Sequence, residues 1–430
     1  MRSAHFGAAA VAGLTLAIGA AHAGGFAVRE QSAYFLGSAF AGSAAGGDLS
    51  SMYWNSAATA TGTGCNASAS LTAVFGQAIE TAQSGILVTG PPTSNDVGTA
   101  PLVPSTFAAC QLTDRLYLGL GLNAPFGITT KPDNTTWAGS PVAITSKVFS
   151  FDINPTLAYK LTPELTVGIG VQIEFLSARL NHGPFNSPFG PLLGARAFDA
   201  DDWGVGATAG ILWQPVRGTS VGLGYRSAVN ENVGGDFTRG FGLGSGPAVM
   251  TTASAGITLP DEVTLSARQY LTPQVALLGT IEWQNWSRVQ NITATSAGCL
   301  GGVCEVLNLN YHDGWFYSIG AEYILNPAIT LRAGVAYETS PIQDSTRDIL
   351  VPDSNRVELA AGASFKYSDW LTFDVGYSHL FFQDGTYCIA SPAFNGTTHC
   401  NAATPAPFVL ISGKSDVAAD LLTFGLKYKF

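Results

Sequence analysis

Beyond its first two dozen residues the chain has no apolar run of 18 or more, which excludes a bundle of membrane-spanning helices, each needing about 20 consecutive apolar residues. Charge is scarce as well. Only 12% of the 430 residues are ionic against 46% hydrophobic, and the balance of −10 with a pI near 5.0 argues against nucleic acid as a partner. No Cys-x-x-Cys occurs, and the four histidines beyond the amino terminus, His182, His312, His379 and His399, do not fall at zinc spacing, so no metal or cofactor is expected. Nor do these histidines stand in an evident partnership with Ser or Asp. The reading is therefore a protein that is not an enzyme.

What is present is alternation. Leu116, Leu118, Leu120 and Leu122 interleave with Tyr117, Gly119, Gly121 and Asn123; Leu165 to Phe175 interleaves with Thr166, Gly168, Gly170, Gln172 and Glu174; Leu331, Ala333, Val335 and Tyr337 interleave with Arg332, Gly334, Ala336 and Glu338. A period of two means strands, with one apolar face and one polar, partly charged face. The alternation gives about fourteen of them, near 66–79, 102–112, 115–126, 142–160, 164–182, 202–214, 219–230, 256–270, 274–289, 309–326, 328–340, 355–368, 370–383 and 418–430. Tight turns alternate with long loops, among them 127–141, 183–201, 231–255 and 384–417, and the chain closes on Leu422 to Phe430 with an aromatic last residue. The expected fold is all-β: a transmembrane antiparallel β-barrel of about 14 strands over residues 62–430, in a Gram-negative outer membrane.

Residues 1–23 read as a signal peptide, with Arg2, an apolar run from Phe6 to Ala20, and Ala21-His22-Ala23 as the cleavage site. Six cysteines suit an oxidising compartment, and sequence proximity pairs Cys65 with Cys110, Cys299 with Cys304 and Cys388 with Cys400, one of 15 possible connectivities. Between signal and strands, residues 24–61 are rich in Gly, Ala and Ser, carry Phe26, Tyr34, Phe35, Phe40, Tyr53 and Trp54, and lack the two-residue period. This segment is expected to plug the lumen.

That segment also carries a resemblance. Gly25-Phe26-Ala27-Val28-Arg29-Glu30-Gln31-Ser32, Leu36 to Gly42, and Asn55-Ser56-Ala57-Ala58 resemble the hatch of the FadL/TodX family of outer-membrane transporters for long-chain fatty acids and other hydrophobic molecules. Asn123-Ala124-Pro125-Phe126-Gly127, Leu259 to Val263, Trp283 to Ser287 and Ile349 to Arg356 extend the match in family order. Ser56 stands where the family's hatch usually has Pro. The resemblance implies a monomeric barrel, blocked by the hatch, that takes a long-chain fatty acid or other hydrophobic ligand from outside and releases it sideways into the outer-membrane lipid.

The residues themselves suggest the path. Phe185, Phe189, Leu192 and Leu193 in 183–201, with Phe237 and Phe241 in 231–255, offer apolar surface in connections that should be solvated, which commonly marks a binding groove. A carboxylate cargo would need a cation. Arg179 and Arg288 are the candidates, being nearest those loops; Arg268, Arg332 and Lys366 face the lumen, where Glu174, Glu282, Glu322, Glu338, Glu358 and Asp374 can brace them as structural pairs. At residues 123–127, Pro125 cannot donate a ladder hydrogen bond and Gly127 removes packing, so the third strand should bend inward and leave a gap, the lateral gate that the resemblance implies. The competing readings are a general diffusion porin, an aromatic-hydrocarbon channel and an adhesin.

Overall fold

Fourteen strands close on themselves with antiparallel neighbours throughout. In chain order they are β1 (Cys65–Ser84), β2 (Leu102–Gln111), β3 (Leu116–Asn123), β4 (Thr145–Lys160), β5 (Leu165–His182), β6 (Arg196–Trp213) and β7 (Thr219–Arg226, resuming as Val229–Arg239). The second half is β8 (Val249–Leu259, resuming as Glu262–Tyr270), β9 (Val275–Gln284), β10 (Gly314–Asn326), β11 (Ile329–Thr339), β12 (Arg356–Lys366), β13 (Leu371–Phe382) and β14 (Val409–Lys429). The seam is β1 against β14, from Asn66 opposite Lys429 to Ser84 opposite Ser412. This computed structural model describes residues 24–85, 90–187, 190–240, 249–393, 396–400 and 409–430.

Alternation sorts the side chains as the sequence led one to expect. On β5, Ile169, Val171 and Ile173 are exposed on the outside while Gln172, Glu174 and Leu176 are buried inside, and the same division runs through Leu118, Leu223, Leu265, Ile281, Ile319, Leu359 and Phe424 on other strands. An apolar outer wall suits a bilayer, and no helix among the described residues is long and apolar enough to cross one. Farther along β5 the outer face changes to Arg179, paired with Asp199 on β6, both side chains about half exposed. The lipid-facing band therefore ends below that pair, and His182 and Arg196 lie beyond it.

The three disulfides are Cys65–Cys110, Cys299–Cys304 and Cys388–Cys400, the first joining residues directly opposite each other on β1 and β2. Several long connections differ from expectation. Residues 231–255 are no loop but largely a hairpin, with Val229 opposite Leu259 and Arg239 opposite Val249; β6 begins at Arg196 and β14 at Val409, and within 290–308 Asn291–Thr295 pairs with Val303–Asn308. Above the lipid band neither face is forced to be uniformly apolar, so the two-residue contrast fades although the backbone ladder continues.

Residues 24–61 form one short α-turn, Ala33–Leu36, and two 3-10 turns, Leu49–Tyr53 and Ser56–Ala60, all against the inner faces of the strands. Every residue from Gly24 to Ala60 is buried except Gly47. Side-chain caps hold the turns: Ser32 accepts from Phe35 N, Asp48 from Ser50 N and Asn55 from Ala57 N. Glycines on the wall make room. A Cβ on Gly224 would overlap the carbonyl of Trp54, and one on Gly334 the carbonyl of Ser38.

Candidate functional site

Three structures meet near the outer end of the lumen: an apolar cavity, a charge network around the amino-terminal segment, and a break in the wall. The cavity lies among the outer ends of β4 to β8 and the hairpin 291–308. Val148, Leu176, Leu180, Phe198, Val233, Phe237 and Leu307 line it, and Phe26 of the amino-terminal segment also contributes to its wall. Strand alternation places these side chains, since Phe198 and Phe237 sit opposite each other on β6 and β7 with both rings turned inward, 6.5 Å between centroids. Only a few polar groups reach this space, among them His182, Arg196 and Glu305.

Below the cavity, charges tie residues 24–61 to the strands. Arg29 meets Glu282 at 2.8 Å and Glu338 at 2.9 Å and lies over the ring of Phe316; Glu338 is shared with Arg356, which also holds Asp353. Tyr34 donates to Glu322, which Arg332 also meets, and accepts from Arg268. Lys427 stands 3.0 Å from both Asp48 and Asp374. Asn55 donates to the carbonyls of Ala44 and Ile211, and the neighbouring Ser56 hydroxyl donates to Thr208 at 2.6 Å. A buried ion is tolerable only with its partner in place, so each pair fixes a position of the segment as well as neutralising charge.

The break is at residues 124 and 125, since Phe126 still bonds Ser150 of β4 through both of its backbone groups. β3 pairs with β4 as far as Asn123 opposite Asp152 and resumes at Gly127 opposite Phe149, so four steps on one strand face three on the other. The freed backbone turns inward: Ala124 O accepts from Gln31 Nε2 at 2.8 Å, Pro125 O from Val28 N at 2.7 Å, and Gly127 N donates to Phe26 O at 2.8 Å. On the other side, the β2–β3 ladder has no rung beyond Thr106–Leu122, although β2 runs on to Leu102. Sequence reasoning anticipated the bend from Pro125; the inward partners, Phe26, Val28 and Gln31, are what the structure adds.

The expected site residues fare unevenly. Phe237 lines the cavity. Phe189 and Phe241 lie outside the described residues, as do the side chains of Phe185, Leu192 and Leu193. Arg179 points away from the cavity, on the outer face with Asp199, and Arg288 is held by Asp261 at 2.5 Å on a partly exposed turn. Neither lines the cavity; the arginine that does is Arg196, paired with Glu305 at 3.2 Å. The sequence hides it inside the supposed 183–201 loop, but the alternation of Arg196, Phe198 and Ala200 with Ala197, Asp199 and Asp201 was a signal that a strand had already begun. Of the lumen cations, Arg268 and Arg332 are buried and partnered, whereas Lys366 is exposed beside Asp369. Glu174, Glu282, Glu322, Glu338, Glu358 and Asp374 are all buried inside the barrel.

Gly218-Thr219-Ser220-Val221-Gly222 spells the Gly-x-Ser-x-Gly of a nucleophile elbow, but it leads into β7, and the Ser220 hydroxyl donates to Ala45 O. Among the described residues no cluster of metal-ligating side chains occurs.

A closed barrel with a lipid-facing wall, a filled lumen and an apolar cavity at its outer end defines a class, the outer-membrane β-barrel transporters. The chain belongs to the family described as outer membrane protein transport protein (OMPP1/FadL/TodX), whose model matches residues 14–430. It is 26% identical over 413 residues to Outer membrane protein P1 of Haemophilus influenzae, covering 85% of this chain and 88% of that one. It is 24% identical over 326 residues to the long-chain fatty acid transport protein of Escherichia coli (strain K12), covering 67% and 72%. In fold it is similar to a Pseudomonas aeruginosa FadL homologue, with a TM-score of 0.82 at 20% identity over 94% of this chain and all of the other. The Pseudomonas putida toluene transporter TodX gives 0.69 at 16% identity over 95% and 100%.

Proposed function

We propose that this chain is an uptake channel for hydrophobic molecules, which enter the apolar cavity from outside and leave sideways through the wall beside β3. The observation that carries this reading is Phe26. Its ring lines the cavity, 4.7 Å from Trp286 and 6.0 Å from Phe126 between centroids, while its carbonyl accepts from Gly127 at the break. Cargo pressing on the cavity wall therefore acts on the one stretch whose hydrogen bonds hold the wall strand inward. In this reading residues 24–61 are the hatch, residues 62–430 the barrel, and residues 1–23 an export signal absent from the mature protein, which works as a monomer and catalyses no reaction.

The cargo class includes long-chain fatty acids and aromatic hydrocarbons, the two kinds named in the relatives above. A general diffusion porin is disfavoured because the ion-paired hatch occupies the lumen where a porin needs water. Replacing Phe198 and Phe237 together by Ser tests the proposal. Uptake of a radiolabelled hydrophobic aromatic or long-chain fatty acid at low concentration should fall several-fold while the amount of folded barrel is unchanged, and equal uptake would remove the cavity from the path.

A further inference from the structure

The polar end of the apolar cavity has a definite hydrogen-bonding sense. His182, at the outer end of β5 opposite Arg196 on β6, is buried, and its Nδ1 lies 2.5 Å from the carbonyl oxygen of Val142. A carbonyl can only accept, so Nδ1 carries the proton. The segment bearing Val142 is itself fixed, because Ile144 N donates to Asn181 O and Gly183 N to Ser140 O, both at 2.8 Å. With burial and the Arg196 guanidinium beside it keeping the ring uncharged, Nε2 is a bare lone pair. It is fully buried with no protein partner, in a ring that helps line the cavity.

Three charged groups stand there: Arg196, Arg239 opposite it on β7, and Glu305, which both arginines attract. Arg196 Nη1 is 3.2 Å from Glu305 Oε2, with both side chains buried, so the cavity's cation is already matched by a carboxylate of the chain. A cargo anion would have to displace Glu305 from Arg196 and leave that buried carboxylate with only the weaker attraction of Arg239. Separating a buried pair in this way is unfavourable. A neutral cargo that donates one hydrogen bond meets the opposite situation, since it satisfies an acceptor otherwise left unpaired.

We infer that the cavity seats a neutral hydroxyl-bearing hydrophobe, an alcohol or a phenol, whose body lies against Leu176, Phe198 and Phe237 and whose O–H donates to His182 Nε2. This rests on the reading of the cavity as the cargo site and narrows that reading to a chemical class.

Four probes of one ring size separate the possibilities: p-cresol donates, 4-methylanisole accepts only, toluene does neither, and p-toluate is an anion. Their binding to the full mature protein in phosphatidylcholine nanodiscs is measured by calorimetry. p-Cresol should bind about tenfold more tightly than 4-methylanisole or toluene, the effect of one buried hydrogen bond to an otherwise unpaired acceptor. That preference should vanish in His182→Phe and survive in part in His182→Gln, which keeps an acceptor. Equal affinities for p-cresol and 4-methylanisole in the unmodified protein would overturn the inference, and this comparison stands even if His182→Phe does not fold. Tightest binding of p-toluate would overturn it in favour of a carboxylate seat at Arg196. Binding of the ring compounds without a cresol preference leaves the cargo-site reading intact, whereas binding of none of the four removes both.

Discussion

Arg29 shows how much of the lumen's organisation hangs on single side chains. Buried between Glu282 and Glu338, it brings the one charged side chain of residues 24–29 into the barrel and meets carboxylates of two strands at once. Replacing it with Met keeps the side-chain bulk but leaves both carboxylates without that partner, and removing one member of a buried pair typically costs about 3–5 kcal/mol. Because Glu338 keeps Arg356, the loss should fall at the lower end and should show first as release of the amino-terminal segment. Limited proteolysis is expected to cut R29M between residues 24 and 61 at a protease concentration that leaves the unmodified protein whole. Resistance equal to the unmodified protein would mean that packing alone holds the segment. Gln31 makes a second, uncharged fastening, donating to Val28 O and Ala124 O and accepting from Ala124 N. Changing it to Leu leaves buried backbone groups unpaired at the break, worth about 1–3 kcal/mol, and should lower the thermal midpoint of the folded protein.

Along each strand, the two faces answer to different solvents, and substitutions should divide accordingly. Val171 on the lipid face of β5, changed to Arg, should destabilise the barrel by about 2–4 kcal/mol if it lies near the bilayer midplane, as measured by denaturant titration in vesicles. Gly224→Ala on the inner face of β7 meets the Trp54 carbonyl instead, so it should loosen the amino-terminal segment and raise ion conductance while the barrel's own unfolding midpoint changes little. A lowered barrel midpoint without added conductance would contradict that division. The same contrast explains what could be read from the amino acids. Between the lipid band and the lumen, alternation is enforced on both sides, so β3, β5, β10 and β11 were plain, as were the inward acids and the bend at Pro125. Beyond the band the constraint lapses. The start of β6 at Arg196 and most of the hairpin between Val229 and Leu259 therefore looked like loops, and Arg179 was chosen for its nearness to the apolar residues although its parity along β5 sets it on the outer face. His182 gave no signal at all, since the role inferred for it depends on Val142, 40 residues away in sequence.

At the scale of the molecule the structure couples a filled axis to an imperfect wall. Fourteen strands give a lumen that side chains alone do not fill; here the remainder is taken by residues 24–61, anchored through Arg29, Tyr34, Asn55 and Asp48. Deleting Gly25 to Trp54 should leave a folded barrel with larger ion conductance in planar bilayers, and unchanged conductance would show that the lumen is closed by something else. The route proposed for hydrophobic cargo is a separate matter, because it would turn aside where β2 and β3 stop pairing. The rung after Thr106–Leu122 would be Ser105 with Asn123, both buried. A cysteine pair at those two positions closes the wall at the point where cargo is held to leave. Uptake of a radiolabelled hydrophobic compound by cells carrying the oxidised Ser105→Cys/Asn123→Cys protein is the most direct measurement, with the unmodified protein taken through the same reductant as control. Uptake lost on oxidation and regained on reduction is the result expected; full uptake with the pair cross-linked would show that cargo leaves by another path.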